Sequence, residues 1–142
     1  MDFILASASP RRAELLRQLG LSFKIHAADI DETLNPQEKA LDYVLRMATS
    51  KGQAVSEHYS PESVVIAADT VVCLGQNIMG KPKNQTDSES MLMQLSSQTH
   101  KVHTALAVLY QNHCRHCICS SEVTFRALTP REIKSYWQTG EP

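Results

Sequence analysis

A mixed α/β fold, a sheet flanked by helices, is what this sequence predicts, on three observations. Short apolar runs, FILA at 3–6 and VVIAADTVVCLG at 64–75, have the length and β-branched content of strands. Segments with apolar residues three and four apart, AELLRQLG and KALDYVLRMATSKGQAV, alternate with them and read as helices. Helix-start chemistry stands at the joins, with Ser, Asn or Thr followed by proline or by an acid three residues on.

Each element follows in order. After FILA, Ser9 is a good N-cap, Pro10 suits the first helical position and Gly20 is a C-terminal stop, with Leu15, Leu16 and Leu19 at helical spacing. SFKIH at 22–26 reads as a second strand and ADIDETLN as an acidic loop. Asn35, Pro36 and Glu38 predict the start of a long helix whose apolar stripe holds Leu41, Val44, Ala48 and Val55. VVIAADTVVCLG is one buried strand, or two joined at Asp69, and Gly75 predicts a hairpin turn into IMGKP. Thr86 and Glu89 form a capping-box pattern before a helix through MLMQL. KVHTALAVLY and the segment ending in EVTFRAL read as neighbouring strands. Thr129, Pro130 and Glu132 start a last helix, IKSYW, before the closing GEP.

Composition narrows the function. A chain of 142 residues fits one domain and can remove about two-thirds of its unfolded surface from water. A formal net charge of −1 gives no global basic field for a nucleic-acid polymer, so any anion site must be local. The longest apolar stretch is interrupted by Asp69 and is far short of the ~20 residues a membrane helix needs. LASAS lacks the basic start and apolar core of a signal peptide, which predicts a cytoplasmic protein with no membrane partner. HCRHCIC offers a single C-x-x-C without the second knuckle a structural zinc site uses, and also reads as a strand or hairpin edge with reduced cysteines.

Four features depart from core-and-surface patterning. Arg11 and Arg12 fall in the first turn of a helix, where the positive end of the dipole disfavours each cation by roughly 0.3–1 kcal/mol. They are either solvated or, with the serine hydroxyls of SASP, a phosphate clamp at a helix N-terminus. Asp69 closes the apolar run VVIAA, where α/β folds place ligand crevices, or else it caps a turn. Glu32, from another loop, supplies a second carboxylate with which Asp69 could share a divalent cation. Lys51 lies within the apolar stripe of the long helix, three residues from Ala48 and four from Val55. It either snorkels past the core or delivers an ammonium to a polar pocket. Lys81, in MGKP, is by itself a loop charge.

LASASPRRAELL, the Glu32 loop, RMATSKG, VIAADTVV, MGKP and HTALAV, in this order, make the chain resemble the Maf family of nucleoside triphosphate pyrophosphatases over practically its whole length. The resemblance implies a mixed twisted sheet flanked by helices, related to the inosine triphosphate pyrophosphatases, with two lobes around a cleft. It implies cleavage of a nucleoside triphosphate between the α and β phosphates, with Mg²⁺ or Mn²⁺ as cofactor. ADT resembles the branch acting on dTTP and UTP, where the 7-methyl-GTP branch shows SDQ. Carried over, Asp69 is catalytic and shares the metal with Glu32; Ser7, Arg11, Arg12, Lys51, Lys81 and Thr70 bind substrate, Arg12 and Thr70 as specificity positions. Family members continue past GEP into a segment resembling DKAGAYGIQG, so residues 1–142 are expected to be one Maf-like domain lacking that segment. A sheet edge thus left open would be covered by a second copy in a homodimer or invite aggregation. A catalytically weak nucleotide-binding or cell-division regulatory protein is the alternative reading.

Overall fold

In the computed structural model residues 2–139 are described; the closing GEP lies outside them. The element order is β1 (Phe3–Leu5), α1 (Pro10–Gln18), β2 (Lys24–Ile25), α2 (Ala40–Ser56), β3 (Val64–Leu74), β4 (Asn77–Met79), α3 (Gln85–Leu95), β5 (Thr99–Tyr110), β6 (His113–Thr124) and α4 (Pro130–Gln138). The mixed α/β class is borne out. One sheet runs β2-β1-β3-β5-β6, with β4 paired to β3. β1 is parallel to both β2 and β3, and β4 is antiparallel to β3. The chain divides into two compact units, Met1–Thr70 with Thr104–Cys119, and Val71–His103 with Ser120–Pro142.

The first unit carries a core of Ile4, Ala6, Val55, Val65 and Ala67, with Ala28, Tyr59 and Leu109 packed against it. Burying each of the larger aliphatic side chains contributes about 1.5–3 kcal/mol. α1 begins as its caps predict: Ser9 Oγ accepts the Arg12 N–H at 3.4 Å, Pro10 follows, and Gly20 takes a φ of +81° just past the end. Only Ala13 of this helix is buried, however, and Leu15 and Leu19 are exposed. In α2 the stripe is Val44, Met47, Ala48, Gly52 and Val55, while the expected member Leu41 is exposed. A Cβ added at Gly52 would lie 2.4 Å from Leu109 Cδ1 and 3.4 Å from Ala67 Cβ, so glycine lets this turn of α2 come close to the strands.

Two predicted helix starts move. The long helix begins at Ala40, and Lys39 makes no side-chain cap. Only half of the expected capping box forms: Glu38 Oε1 accepts the Asn35 N–H at 3.1 Å, while the Glu38 N–H donates to the Asn35 backbone carbonyl, closing a separate turn in which Gln37 has a φ of +62°. Arg46 then takes the Glu38 carboxylate, holding that turn against α2. α3 begins at Gln85 because Asn84 Oδ1 accepts the Asp87 N–H at 2.8 Å, so the cap is Asn84 and not Thr86.

In the second unit the capping box of Thr129 and Glu132 forms as predicted. Glu132 also pairs with Arg126, whose guanidinium holds the carboxyl down to about 2. Leu92, Phe125, Leu128, Ile133 and Tyr136 line an apolar groove here. His100 is buried edge-on to Phe125 at 4.8 Å between ring centres, and burial pushes its imidazole below the ordinary value. Back in the first unit, HCRHCIC lies along β6 as an exposed strand, entered by a turn at Gln111 and Asn112, with Cys114, Cys117 and Cys119 free. Among the described residues, no helix is long and apolar enough to cross a membrane.

Candidate active site in the first unit

The site exists because β1 is short. Its last residue pairs with Ile66, and Ala6 N–H donates to Ile66 O at 2.8 Å. Carbonyls two residues apart on a strand project to the same edge, so Ala68 O is the next acceptor on that side, left for a non-strand partner. The Arg12 guanidinium takes it, Nη1 donating to Ala68 O at 3.2 Å and reaching Ser7 Oγ at 3.5 Å. Nη2 donates to Thr70 Oγ1 at 3.0 Å. A first-turn arginine has thus folded back onto the central strand. Burial lowers its pKa from the ordinary value and the nearby Asp69 opposes that shift; a guanidinium so placed remains charged.

Of the two readings of VVIAADTVVCLG, one strand or two joined at Asp69, the first holds: β3 continues unbroken through Asp69 to Leu74. What ends before Asp69 is the pairing with β1, and that gives the carboxylate its place beyond the parallel ladder. Asp69 is 8% exposed. Its Oδ1 accepts from Lys51 Nζ at 3.1 Å, and the same ammonium lies 3.1 Å from Glu32 Oε1. Lys51 therefore delivers its charge to a polar site and does not merely snorkel. It comes from the turn of α2 whose next residue, Gly52, lies close to Ala67, two residues before Asp69 and hence on the same side of β3.

Glu32 is held from behind by residues the sequence reading did not single out. Tyr43 OH donates to Glu32 O at 2.6 Å, and Arg46 Nη2 donates to Thr33 O at 2.9 Å. Both come from α2, as Lys51 does, so one helix positions the loop and the ammonium together. Burial first, then the charges of Asp69 and Glu32, raise the Tyr43 phenol above its usual pKa. Arg46 was visible in RMATSKG and Thr104, which lies 3.0 Å from the Thr70 hydroxyl, in HTALAV, but a motif does not say which members do what.

Of the predicted residues, Ser7, Arg12, Glu32, Lys51, Asp69 and Thr70 come together in this unit. Arg11 is exposed in the first turn of α1. Lys81 is carried by the second unit, exposed between β4 and α3. Among the described residues there is no group of three or more His, Cys, Asp or Glu able to hold a metal ion. The donor chemistry nevertheless suits Mg²⁺ or Mn²⁺, which need only one or two carboxylates beside water and phosphate oxygens, and two carboxylates converge at Lys51 Nζ.

A mixed sheet with a helix N-terminus, an arginine fork and paired carboxylates past the end of a parallel strand is the layout of an α/β phosphate-handling protein. Among solved structures the fold is similar to a nucleoside-triphosphatase/dITP/XTP pyrophosphatase from Mycobacterium abscessus, with a TM-score of 0.52, 15% identity, 99% of this chain and 95% of that one covered. It is also similar to the Ham1 protein of Staphylococcus aureus, with a TM-score of 0.52, 12% identity and 87% and 70% coverage. The Maf-like protein family model matches residues 2–142, and the chain belongs to that family. Relatives named dTTP/UTP pyrophosphatase include one from Pasteurella multocida, 45% identical over 99% of this chain and 74% of its own length. Another, from Vibrio parahaemolyticus, is 44% identical over 100% and 75%.

Proposed function

We propose that this protein hydrolyses dTTP and UTP to the monophosphate and pyrophosphate, acting on free nucleotides in the cytoplasm. The observation that carries the reading is the Lys51 ammonium shared between Asp69 and Glu32 beside the Arg12 fork. The names of relatives at about 45% identity support the substrate.

In this reading Asp69 orients a water and takes its proton as the oxygen bonds to the α-phosphorus. The bond from that phosphorus to the bridging oxygen breaks, and its electron pair leaves with pyrophosphate. Arg12 and Lys51, with Arg11, bind the phosphates and offset part of their charge, about four negative units near neutral pH. Glu32 and Asp69 would hold the divalent cation, which when bound offsets further phosphate charge. Arg12 and Thr70 are the specificity positions.

The test is pyrophosphate release from dTTP, UTP, 7-methyl-GTP and ITP with Mg²⁺ or Mn²⁺ supplied. We expect kcat/KM for dTTP and UTP to exceed that for the other two by at least on the order of 100-fold, which shape discrimination alone can reach and polar contacts to the base can exceed. Nucleotide binding without turnover, or a preference for the methylated purine, would overturn the assignment.

A further inference from the structure

The Arg12 fork is held at Thr70, and Thr70 is held in turn. Arginine can only donate, so Thr70 Oγ1 accepts from Nη2 at 3.0 Å, which leaves the Thr70 proton for Thr104 Oγ1, also at 3.0 Å. Thr104 is half-buried on β5, the strand beside β3, and 34 residues from Thr70 in sequence. Ser7 Oγ and Ala68 O fix only the other terminal nitrogen of the guanidinium. Without the second hydroxyl, Thr70 can turn to another rotamer and Nη2 loses its acceptor.

We propose that Thr104 is a positioning residue: through the Thr70 hydroxyl it fixes the orientation of the Arg12 guanidinium towards the substrate. This rests on the nucleotide-hydrolysis reading above. A threonine pair on neighbouring strands can also serve stability alone, and a merely structural role would move the melting temperature without touching Arg12.

The experiment compares Thr104→Val, Thr104→Ser, Thr70→Val and the double Thr70→Val/Thr104→Val variant. One net hydrogen bond corresponds to roughly 3–10-fold in an equilibrium or rate ratio. Accordingly Thr104→Val should lower kcat/KM for dTTP about 3–10-fold, and Thr104→Ser, which keeps the hydroxyl, should stay within about twofold. The double variant should be no worse than Thr70→Val, because both losses act through one link. In the nucleotide-free protein, rotation of the Arg12 guanidinium about its Nε–Cζ bond, read by ¹⁵N NMR, should be faster in Thr104→Val and restored in Thr104→Ser. If the two losses multiply, or if Arg12 rotates as in the unaltered protein while Thr104→Val only melts earlier, the proposal is overturned. The NMR readout needs no turnover, so an unaltered protein that hydrolyses no triphosphate would refute the enzymatic reading separately.

Discussion

Replacing Asp69 with Asn lowers kcat for dTTP by a factor of about 10²–10⁴, the share a positioned general base contributes, with KM changed only a few-fold. The amide fills the same space on β3 and still accepts a hydrogen bond from Lys51, so the strand and the α2 contact persist. What it loses is the capacity to take a proton and the negative charge that Lys51 and Arg12 face. Steady-state turnover beside a nucleotide-binding titration separates the two effects. Full activity in the Asn variant would remove Asp69 from the chemistry.

Lys51→Met produces the other large effect, and it separates two physical pictures of the same lysine. A lysine that only lays its stem along an apolar stripe tolerates methionine, or gains from it, since the stem is kept and a charge is removed. Here the side chains of Lys51 and Asp69 are 13% and 11% exposed, so deleting the ammonium strands a largely buried carboxylate. Breaking such a pair costs about 3–5 kcal/mol when fully buried; with some water access retained, we expect about 2–4 kcal/mol. That lowers the melting temperature on the order of 10 °C for a chain of this size. It also leaves the Glu32 carboxylate, 54% exposed, without its ion pair, while Tyr43 of α2 still holds the Glu32 backbone carbonyl. Activity should fall with stability. A variant melting at or above the unaltered temperature would restore the snorkelling picture.

Local chemistry was the part of this fold that the sequence made legible. Ser9-Pro10 and Thr129-Pro130 start helices where expected because a cap is decided within four residues. Asn35-Pro36-Glu38 shows the limit of that logic. Only the Glu38 half of the box forms, and Arg46, eight residues beyond Glu38, makes it a clamp on a separate turn. Asp69 was found through its contrast with an apolar run, but periodicity in β3 carries no information on where β1 stops, and that sets the site's position. Lys51 was conspicuous because its charge violates a stripe. Tyr43 and Thr104 violate nothing: a tyrosine and a threonine at a half-buried surface are ordinary, and their partners lie 11 and 34 residues away. Leu15 and Leu19 err the other way, since apolar spacing on α1 does not say how much of that face is covered.

The claim on which the rest depends is that water delivered by Asp69 attacks the α-phosphorus. Hydrolysis of dTTP in H₂¹⁸O, followed by mass spectrometry of both products, tests it directly. The account predicts one ¹⁸O in dTMP and none in pyrophosphate; label in the pyrophosphate, or release of inorganic phosphate in its place, would contradict it.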